Sequence, residues 1–274
     1  MNRPETSEHD VLGAAADLAA STPEDDHRLA ERVATEAGRL LVALRDRYGP
    51  GNGYRRWDLM DAGDASAHHF IVDALRAERP GDVILSEEGA DDRRRMTAER
   101  VWIVDPLDGT NEYGEPGRAD WAVHVALWER DAGGLTAGAV ALPALGVTFT
   151  TAPAAHVPEL RRPRPRLVTS RYRVPYAAVL VAEALGADAI RVGSAGAKAM
   201  TVLLGEADVY VHDGGMYQWD SAAPAAVAQA AGLHVSRIDG TPIEYNAADP
   251  WLPDLLICRP ELADAVLAAL WGRR

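Results

Sequence analysis

The segment that most constrains this chain begins as a buried strand and ends in two carboxylates. Four apolar residues, Val-Trp-Ile-Val, run from Val101 directly into Asp105-Pro-Leu-Asp108. The apolar run predicts a buried strand, and the proline inside the acidic pair predicts a turn that places both carboxylates at the end of that strand. Together with the carbonyl of Leu107, they offer the oxygen ligands that hard divalent cations prefer. The alternative is an Asp-rich turn that is held by its own hydrogen bonds.

The two residues after this turn, Gly109 and Thr110, extend the same prediction. If they open a helical turn, their backbone N–H groups have no partner within that turn. Free N–H groups at the start of a helix bind anions. The segment therefore predicts an anion site beside the cation site.

Two more acidic motifs stand in similar surroundings. Glu87-Glu88 follows the apolar residues Val83-Ile-Leu85, and adjacent carboxylates repel each other unless a cation lies beside them. Asp220, within Trp219-Asp-Ser-Ala-Ala-Pro224, is expected at the start of a helix. Taken alone, the first motif could be an ordinary exposed acidic pair, and Asp220 could be an N-cap.

Charge and cysteine content exclude several classes of protein. Lys and Arg total 28 against 41 Asp and Glu, and a net charge of −13 argues against nucleic acid or a membrane surface as partner, because both require basic patches. The single cysteine, Cys258, rules out an intramolecular disulfide and fits a reducing compartment. There is no apolar run of roughly 18 residues, and the first residues are acidic, so we expect a cytoplasmic protein.

Periodicity divides the 274 residues into two halves. Helix patterns begin at Thr22 and after Asp64, and strand patterns follow, the last three of which predict an antiparallel meander. From Leu167 onwards strands and helices alternate. We therefore predict an α+β N-terminal half over residues 22–152 and an α/β C-terminal half over residues 167–274, with residues 1–21 as a poorly ordered lead-in and 153–166 as a linker.

Taken in chain order, the three acidic motifs at Glu87-Glu88, Asp105–Thr110 and Trp219-Asp220 resemble the signature of the inositol monophosphatase superfamily, whose members are metal-dependent, lithium-sensitive phosphatases. The resemblance covers roughly residues 25–272. It implies a layered α-β-α-β-α sandwich and a homodimer. Within the superfamily, segments 118–128, 193–200, 245–246 and 252–255 are most similar to the CysQ-type 3'-phosphoadenosine 5'-phosphate phosphatases of actinobacteria.

Carried over to these positions, the superfamily pattern implies a site with two or three Mg²⁺ ions. Asp105 would bridge two of them, and Glu88 matches an acid that supports the site or touches a third metal. Asp64 matches the acid that activates a water together with Thr110, although its Ala-Gly-Asp context departs from the usual one. The implied metal ligands are Glu87, Asp105, the Leu107 carbonyl, Asp108 and Asp220. The implied substrate contacts are Glu87, Leu107, Asp108, Gly109, Thr110, Ser194, Lys198, Asp213 and Asp220.

The implied reaction is hydrolysis of a phosphomonoester by in-line attack of a metal-activated water, without a covalent intermediate. Lys198 stands where inositol phosphatases carry Asn, and with Ser194 it favours a substrate with a second phosphate. We therefore expect release of the 3'-phosphate of 3'-phosphoadenosine 5'-phosphate to give AMP, with its sulfate ester as a further candidate substrate. Asp213 matches the inositol-contacting acid of the monophosphatases and favours an inositol phosphate instead.

Three other functions remain open at this point. The chain could be an inositol monophosphatase, a fructose-1,6-bisphosphatase of the same superfamily, or a non-catalytic sensor of a nucleotide or a metal. The full set of acids, together with Thr110, favours an enzyme. His124, in the strand expected at 121–128, is assigned to packing.

Overall fold

Two mixed β-sheets, one from each half of the chain, form the frame of the protein. The computed structural model describes residues 24–48, 55–159 and 162–271. Its helices are α1 (Asp26–Tyr48), α2 (Arg56–Glu78), α3 (Thr110–Tyr113), α4 (Tyr176–Leu185), α5 (Ala195–Leu203), α6 (Gln218–Ala230) and α7 (Ala263–Trp271). Its strands are β1 (Val83–Ser86), β2 (Arg100–Asp108), β3 (Ala122–Glu129), β4 (Gly134–Leu142), β5 (Val147–Thr150), β6 (Arg166–Ser170), β7 (Asp188–Val192), β8 (Val209–His212), β9 (Met216–Tyr217), β10 (His234–Ser236), β11 (Trp251–Leu252) and β12 (Leu255–Cys258).

The first sheet has the strand order β1-β2-β3-β4-β5. Its β1–β2 pair is parallel and its other pairs are antiparallel, so the predicted meander of β3, β4 and β5 is confirmed. The second sheet has the order β10-β12-β8-β6-β7. In it β6 runs parallel to β7 and β8, whereas β12 runs antiparallel to β8 and β10. The sequence patterns do not predict the small antiparallel pair of β9 and β11.

Alternation along the strands sorts the side chains into layers. In β2, Trp102 and Val104 are buried against α1 and α2, whereas Val101 and Ile103 are buried against α5 and α6. Helices α5 and α6 also contact the second sheet, and α4 and α7 cover its outer face. The resulting order of helices, sheet, helices, sheet and helices is the layered α-β-α-β-α sandwich that the resemblance implies.

Helix α2 begins at Arg56, well before the start that the sequence pattern predicts after Asp64. Leu59 continues the spacing of Ala67 and Ile71 along the helix and is buried in the same layer, so the apolar face extends to the earlier turns. Asp64 therefore lies inside the helix and not at its N-terminus.

The start of α1 also differs from the prediction. Asp25 caps this helix, because its Oδ1 accepts a hydrogen bond from the Arg28 backbone N–H at 2.9 Å. Thr22, the predicted cap, and the predicted lead-in of residues 1–21 lie outside the described residues. In the ranges that are described, no helix is both long enough and apolar enough to span a bilayer.

Candidate active site

Asp105 and Asp108 lie where β2 leaves the first sheet. The register between β2 and β3 shifts between these two residues, so the strand bulges there. A bulge re-aims side chains at the end of a strand, and here both carboxylates are buried, at 1% and 7% exposure. The Leu107 N–H donates to Asp105 Oδ1 at 3.1 Å and holds the turn.

Asp220 reaches the same point from the other half of the chain. It lies in the first turn of α6, and its Oδ2 accepts a hydrogen bond from the Tyr217 backbone N–H at 2.6 Å. One carboxylate oxygen from each of Asp105, Asp108 and Asp220 lies within 4.8 Å of the other two. The structure thus brings these predicted metal ligands together in one cluster, which we call the three-acid cluster.

The three-acid cluster offers the oxygen ligands of a cation site, and its negative charges are not fully compensated by the protein. Asp105 Oδ2 is buried and has no hydrogen-bond partner among the described residues. Burial and the charges of Glu87 and Asp108 hold the pKa of Asp105 well above its ordinary value, and burial together with the Asp108 charge raises the pKa of Asp220 to about 7. Carboxylates this close repel one another unless a cation lies between them. A hard divalent cation with oxygen ligands fits this site.

Asp108 differs from its neighbours because the protein itself stabilises its charge. Its Oδ1 accepts a hydrogen bond from the Ala195 N–H at 3.1 Å, and its Oδ2 accepts one from the Gly196 N–H at 2.6 Å, both at the N-terminus of α5. His124 Nε2 lies 3.2 Å from the same Oδ2. Burial alone would raise the pKa of Asp108, but His124 and the helix amides lower it.

Glu87 and Glu88 follow β1 at the rim of the three-acid cluster, and both residues are exposed. Although the Glu87 residue is exposed, neighbouring groups desolvate its carboxyl. This desolvation, together with the charges of Asp108 and Glu88, raises the pKa of Glu87 to about 7. Glu87 therefore belongs to the same electrostatic site as the three-acid cluster.

Thr110 and Asp64, which the resemblance pairs, are in contact. Thr110 Oγ1 lies 3.3 Å from Asp64 Oδ1 and 3.2 Å from the Leu107 carbonyl oxygen, and it can donate to either. Asp64 projects from α2, and partial burial and the charge of Glu88 raise its pKa to about 7. A carboxylate with this pKa can accept a proton near neutral pH.

Gly109 makes the turn between the acidic pair and Thr110. Its φ of 89° lies in the left-handed region, which favours glycine, and a Cβ at this position would lie 2.8 Å from the Cβ of Ser194. The residue type is therefore required by the turn and by the close approach of the α5 segment. A contact of its N–H with a phosphate stays a prediction.

Three predicted substrate contacts make bonds within the protein. The Lys198 ammonium is buried and donates to the carbonyls of Gly193 and Ser194. Ser194 caps α5, because its Oγ accepts a hydrogen bond from Ala197 N–H at 2.9 Å. Asp213 Oδ2 accepts one from Ala177 N–H at 2.9 Å, at the start of α4. A phosphate contact would require Lys198 to leave two carbonyls, so its predicted role in binding a second phosphate gains no support from this geometry.

His124 is the residue of the site that sequence reasoning missed. Its ring is fully buried, with Nε2 beside Asp108 and Nδ1 3.1 Å from the Trp219 carbonyl oxygen. Burial alone would lower the pKa of His124, but the Asp108 carboxylate outweighs it and raises this pKa. The available signal was a lone polar residue in an apolar strand, paired across the sheet with Asp105.

The five-layer fold and the three-acid cluster define a class of metal-dependent phosphatases, and the chain belongs to the inositol monophosphatase family. The sequence profile of that family matches residues 27–157 and 164–273. The chain is 47% identical over 246 residues to the 3'-phosphoadenosine 5'-phosphate phosphatase of Mycobacterium bovis, which covers 86% of this chain and 89% of the relative.

Two further comparisons support the same family. The 3'(2'),5'-bisphosphate nucleotidase CysQ of Escherichia coli is 31% identical over 234 residues, covering 81% of this chain and 94% of the relative. Among solved structures, SuhB of Mycobacterium tuberculosis superposes with a TM-score of 0.67 at 25% identity, covering 92% of this chain and 98% of that one. The similarity therefore extends over both halves of the fold.

Proposed function

We propose that this protein is a metal-dependent phosphatase that removes the 3'-phosphate of 3'-phosphoadenosine 5'-phosphate and releases AMP and phosphate. The activity is inferred from the close approach of Asp105, Asp108 and Asp220. One oxygen of this cluster, Asp105 Oδ2, is buried and has no hydrogen-bond partner in the described part of the chain. The similarity to mycobacterial phosphatases that are named for this nucleotide supports the choice of substrate.

The resident cation is Mg²⁺ in this proposal, because every candidate ligand is an oxygen. Asp105, Asp108 and Asp220 would hold one ion, Asp105, Glu87 and the Leu107 carbonyl would hold a second, and Glu88 would contribute to a third. When bound, the ions lower the pKa of a coordinated water and offset the charge of the phosphoryl oxygens.

Thr110 and Asp64 orient the attacking water and take its proton. When the Thr110 hydroxyl donates to Asp64 Oδ1, a lone pair of its Oγ1 is left to accept a hydrogen bond from the water. The proton of the water can then pass to Thr110 while the Thr110 proton passes to Asp64. The raised pKa of Asp64, about 7, matches it to this task at neutral pH.

The remaining protein groups hold the carboxylates in place. The amides of Ala195 and Gly196 keep Asp108 ionised and fixed, and the Tyr217 amide holds Asp220. We further propose a cytoplasmic homodimer, an assembly supported by the superfamily resemblance and testable by sedimentation. The small phosphorylated substrate approaches from the rim where Glu87 and Glu88 are exposed.

The deciding experiment compares phosphate release from 3'-phosphoadenosine 5'-phosphate, inositol 1-phosphate and fructose 1,6-bisphosphate under one set of Mg²⁺ conditions. We expect kcat/KM for the nucleotide to exceed that for either sugar phosphate by about 100-fold or more, a difference of about 3 kcal/mol in transition-state stabilisation. A preference for either sugar phosphate would overturn the substrate assignment. Turnover of none of the three would favour the non-catalytic sensor.

A further inference from the structure

His124 occupies a position where the surrounding residues are small and apolar. It lies in the middle of β3 on the face that packs against α5 and α6, between Ala122 and Ala126, which are also fully buried. The small neighbours leave space for one ring. A buried imidazole has two nitrogens that need partners, so the role of this residue follows from what those nitrogens meet.

Each ring nitrogen faces an acceptor on a different element. Nε2 lies 3.2 Å from Asp108 Oδ2, in the turn after β2. Nδ1 lies 3.1 Å from the carbonyl oxygen of Trp219, the residue immediately before Asp220 in α6. The ring therefore spans the gap between two ligands of the proposed metal site, one from each half of the chain.

The contact with Nε2 also distinguishes the two oxygens of Asp108. A carboxylate oxygen has about two lone-pair sites. Oδ2 accepts a hydrogen bond from the Gly196 N–H at 2.6 Å and lies 3.2 Å from the His124 ring nitrogen Nε2. Oδ1 accepts from Ala195 N–H and keeps the other site free. The His124 ring therefore packs against Oδ2 and leaves Oδ1 as the less crowded oxygen of Asp108.

Packing prevents the ring from turning away. A Cβ at Gly196 would lie 2.1 Å from His124 Nε2, so the backbone of α5 approaches the ring as closely as a glycine allows. The same helix supplies the two amides that bind Asp108. Strand β3, α5 and α6 are therefore joined at one side chain, and a displaced ring would move both carboxylates.

We propose that His124 is a positioning residue of the metal centre, which locks the Asp108 carboxylate and the N-terminus of α6 into the one arrangement that points Asp108 and Asp220 at a shared cation. The inference rests on the proposed function only for the existence of that cation site. It does not depend on which phosphorylated substrate the enzyme prefers.

The test is calorimetric titration of metal-free protein with Mg²⁺, for the wild type and for His124→Phe and His124→Gln. Phe keeps the ring volume and loses both polar contacts, so we expect its Kd for Mg²⁺ to rise by about 10- to 100-fold. The terminal amide of Gln can reach the position of Nε2 and donate to Asp108. We therefore expect His124→Gln to recover most of the lost affinity, to within about threefold of the wild type.

Val125→Ala is the matched control. Val125 is the next residue of β3, is equally buried, and points to the opposite layer, against α1 and α2. It should lower the melting temperature and leave the Kd for Mg²⁺ unchanged. Wild-type affinity in His124→Phe would overturn the proposal, and so would equal losses in all three variants, which would show a general effect of core damage. Because the titration contains no substrate, a wrong substrate assignment would show only in the phosphate-release comparison.

Discussion

The proposed reaction depends directly on the hydroxyl of Thr110. Thr110→Val keeps the shape of the side chain but removes the group that lies 3.3 Å from Asp64 Oδ1. We expect kcat to fall by about 100-fold or more, with KM and the half-saturating Mg²⁺ concentration almost unchanged, because the lost contact orients the water and not the substrate. Steady-state kinetics at several Mg²⁺ concentrations measure all three quantities.

The matched control for this variant is Thr110→Ser, which retains the hydroxyl and should retain most of the activity. A Thr110→Val enzyme with normal kcat would show that Asp64 acts on the water without Thr110.

Asp105→Asn separates the stability of the metal site from its activity. The buried carboxylate is crowded by like charges and has an oxygen without a partner in the described ranges, so an amide that can donate to a neighbouring carboxylate relieves repulsion. We expect the metal-free variant to melt at a higher temperature than the metal-free wild type, to show no stabilisation by Mg²⁺ and to lack turnover. Differential scanning calorimetry with and without EDTA measures the first two effects.

Asp213→Asn is the control, since Asp213 caps α4 outside the three-acid cluster and its loss should leave the response to Mg²⁺ intact. If Asp105→Asn were stabilised by Mg²⁺ as strongly as the wild type, Asp105 would not be a ligand.

At the level of residues, the acidic side chains of the site are easier to predict from the sequence than the groups that contact them. Asp105 and Asp108 could be assigned because they stand together in a turn after a buried strand, whereas Asp220 was joined to them by the superfamily resemblance. His124 could not be assigned, because the Trp219 carbonyl that it contacts lies 95 positions away along the chain. The hydrogen bonds of the Lys198 ammonium to the Gly193 and Ser194 carbonyls could not be predicted either, because they depend on where α5 begins.

At the level of elements, a buried arginine ties the loop after Glu88 to the loop before β11. Arg95 lies in a short 3₁₀ turn (Arg93–Met96) and is fully buried. Its guanidinium donates to Asp91, to the Asn246 side chain at 3.0 Å and to the Ala247 carbonyl at 2.7 Å. The Asn246 N–H in turn donates to the side chain of Gln218, the first residue of α6, at 2.7 Å. The network thus joins the two segments that carry Glu87 and Asp220.

Arg95→Met should lower the free energy of unfolding by about 3 kcal/mol, because it leaves several buried acceptors without their donor. Urea denaturation followed by circular dichroism measures this change. Arg94→Met is the matched control. The Arg94 guanidinium is exposed and pairs with Asp92, so its loss should leave the urea midpoint unchanged. Equal midpoints for both variants would contradict a structural role for the Arg95 network.

Most elements could be predicted from apolar periodicity, and the exceptions have physical causes. The meander and the strand-helix alternation follow from runs of apolar residues between turns. The early start of α2 was missed because Gly63, a poor helix former, interrupts the pattern, although Leu59 is buried in the same layer as Ala67. The pair of β9 and β11 has only two residues in each strand, too few to show a period.

At the level of the whole molecule, the acids make stability depend jointly on pH and metal. The pKa values of Asp64, Glu87 and Asp220 are about 7 in the folded protein, above the ordinary values near 4. The folded metal-free protein therefore holds these protons more tightly than the unfolded chain. The resulting stabilisation is fully present below about pH 4 and is lost as the pH rises through 7. In the proposed function Mg²⁺ replaces these protons, so we expect its binding to strengthen over the same range.

We therefore expect the rise in melting temperature caused by Mg²⁺ to be larger at about pH 7.5 than at about pH 5.5. Thermal melts in EDTA and in excess Mg²⁺ at both pH values give the two increments. NaCl at the same ionic strength controls for screening of surface charge by the added salt. Equal increments at the two pH values would mean that the ligands are already ionised without metal.

The interleaving of β12 between β8 and β10 has a consequence for how the enzyme matures during synthesis. A ribosome makes the strands that carry Glu87, Asp105 and Asp108 early, and α6 with Asp220 much later. Helix α6 then packs against both sheets, and the second sheet is joined only when Leu255–Cys258 emerges and pairs with β8. In the proposed function Asp220 is a metal ligand, so a nascent polypeptide halted before α6 would lack part of its cation site, and one halted before β12 would lack the strand that joins β10 to β8.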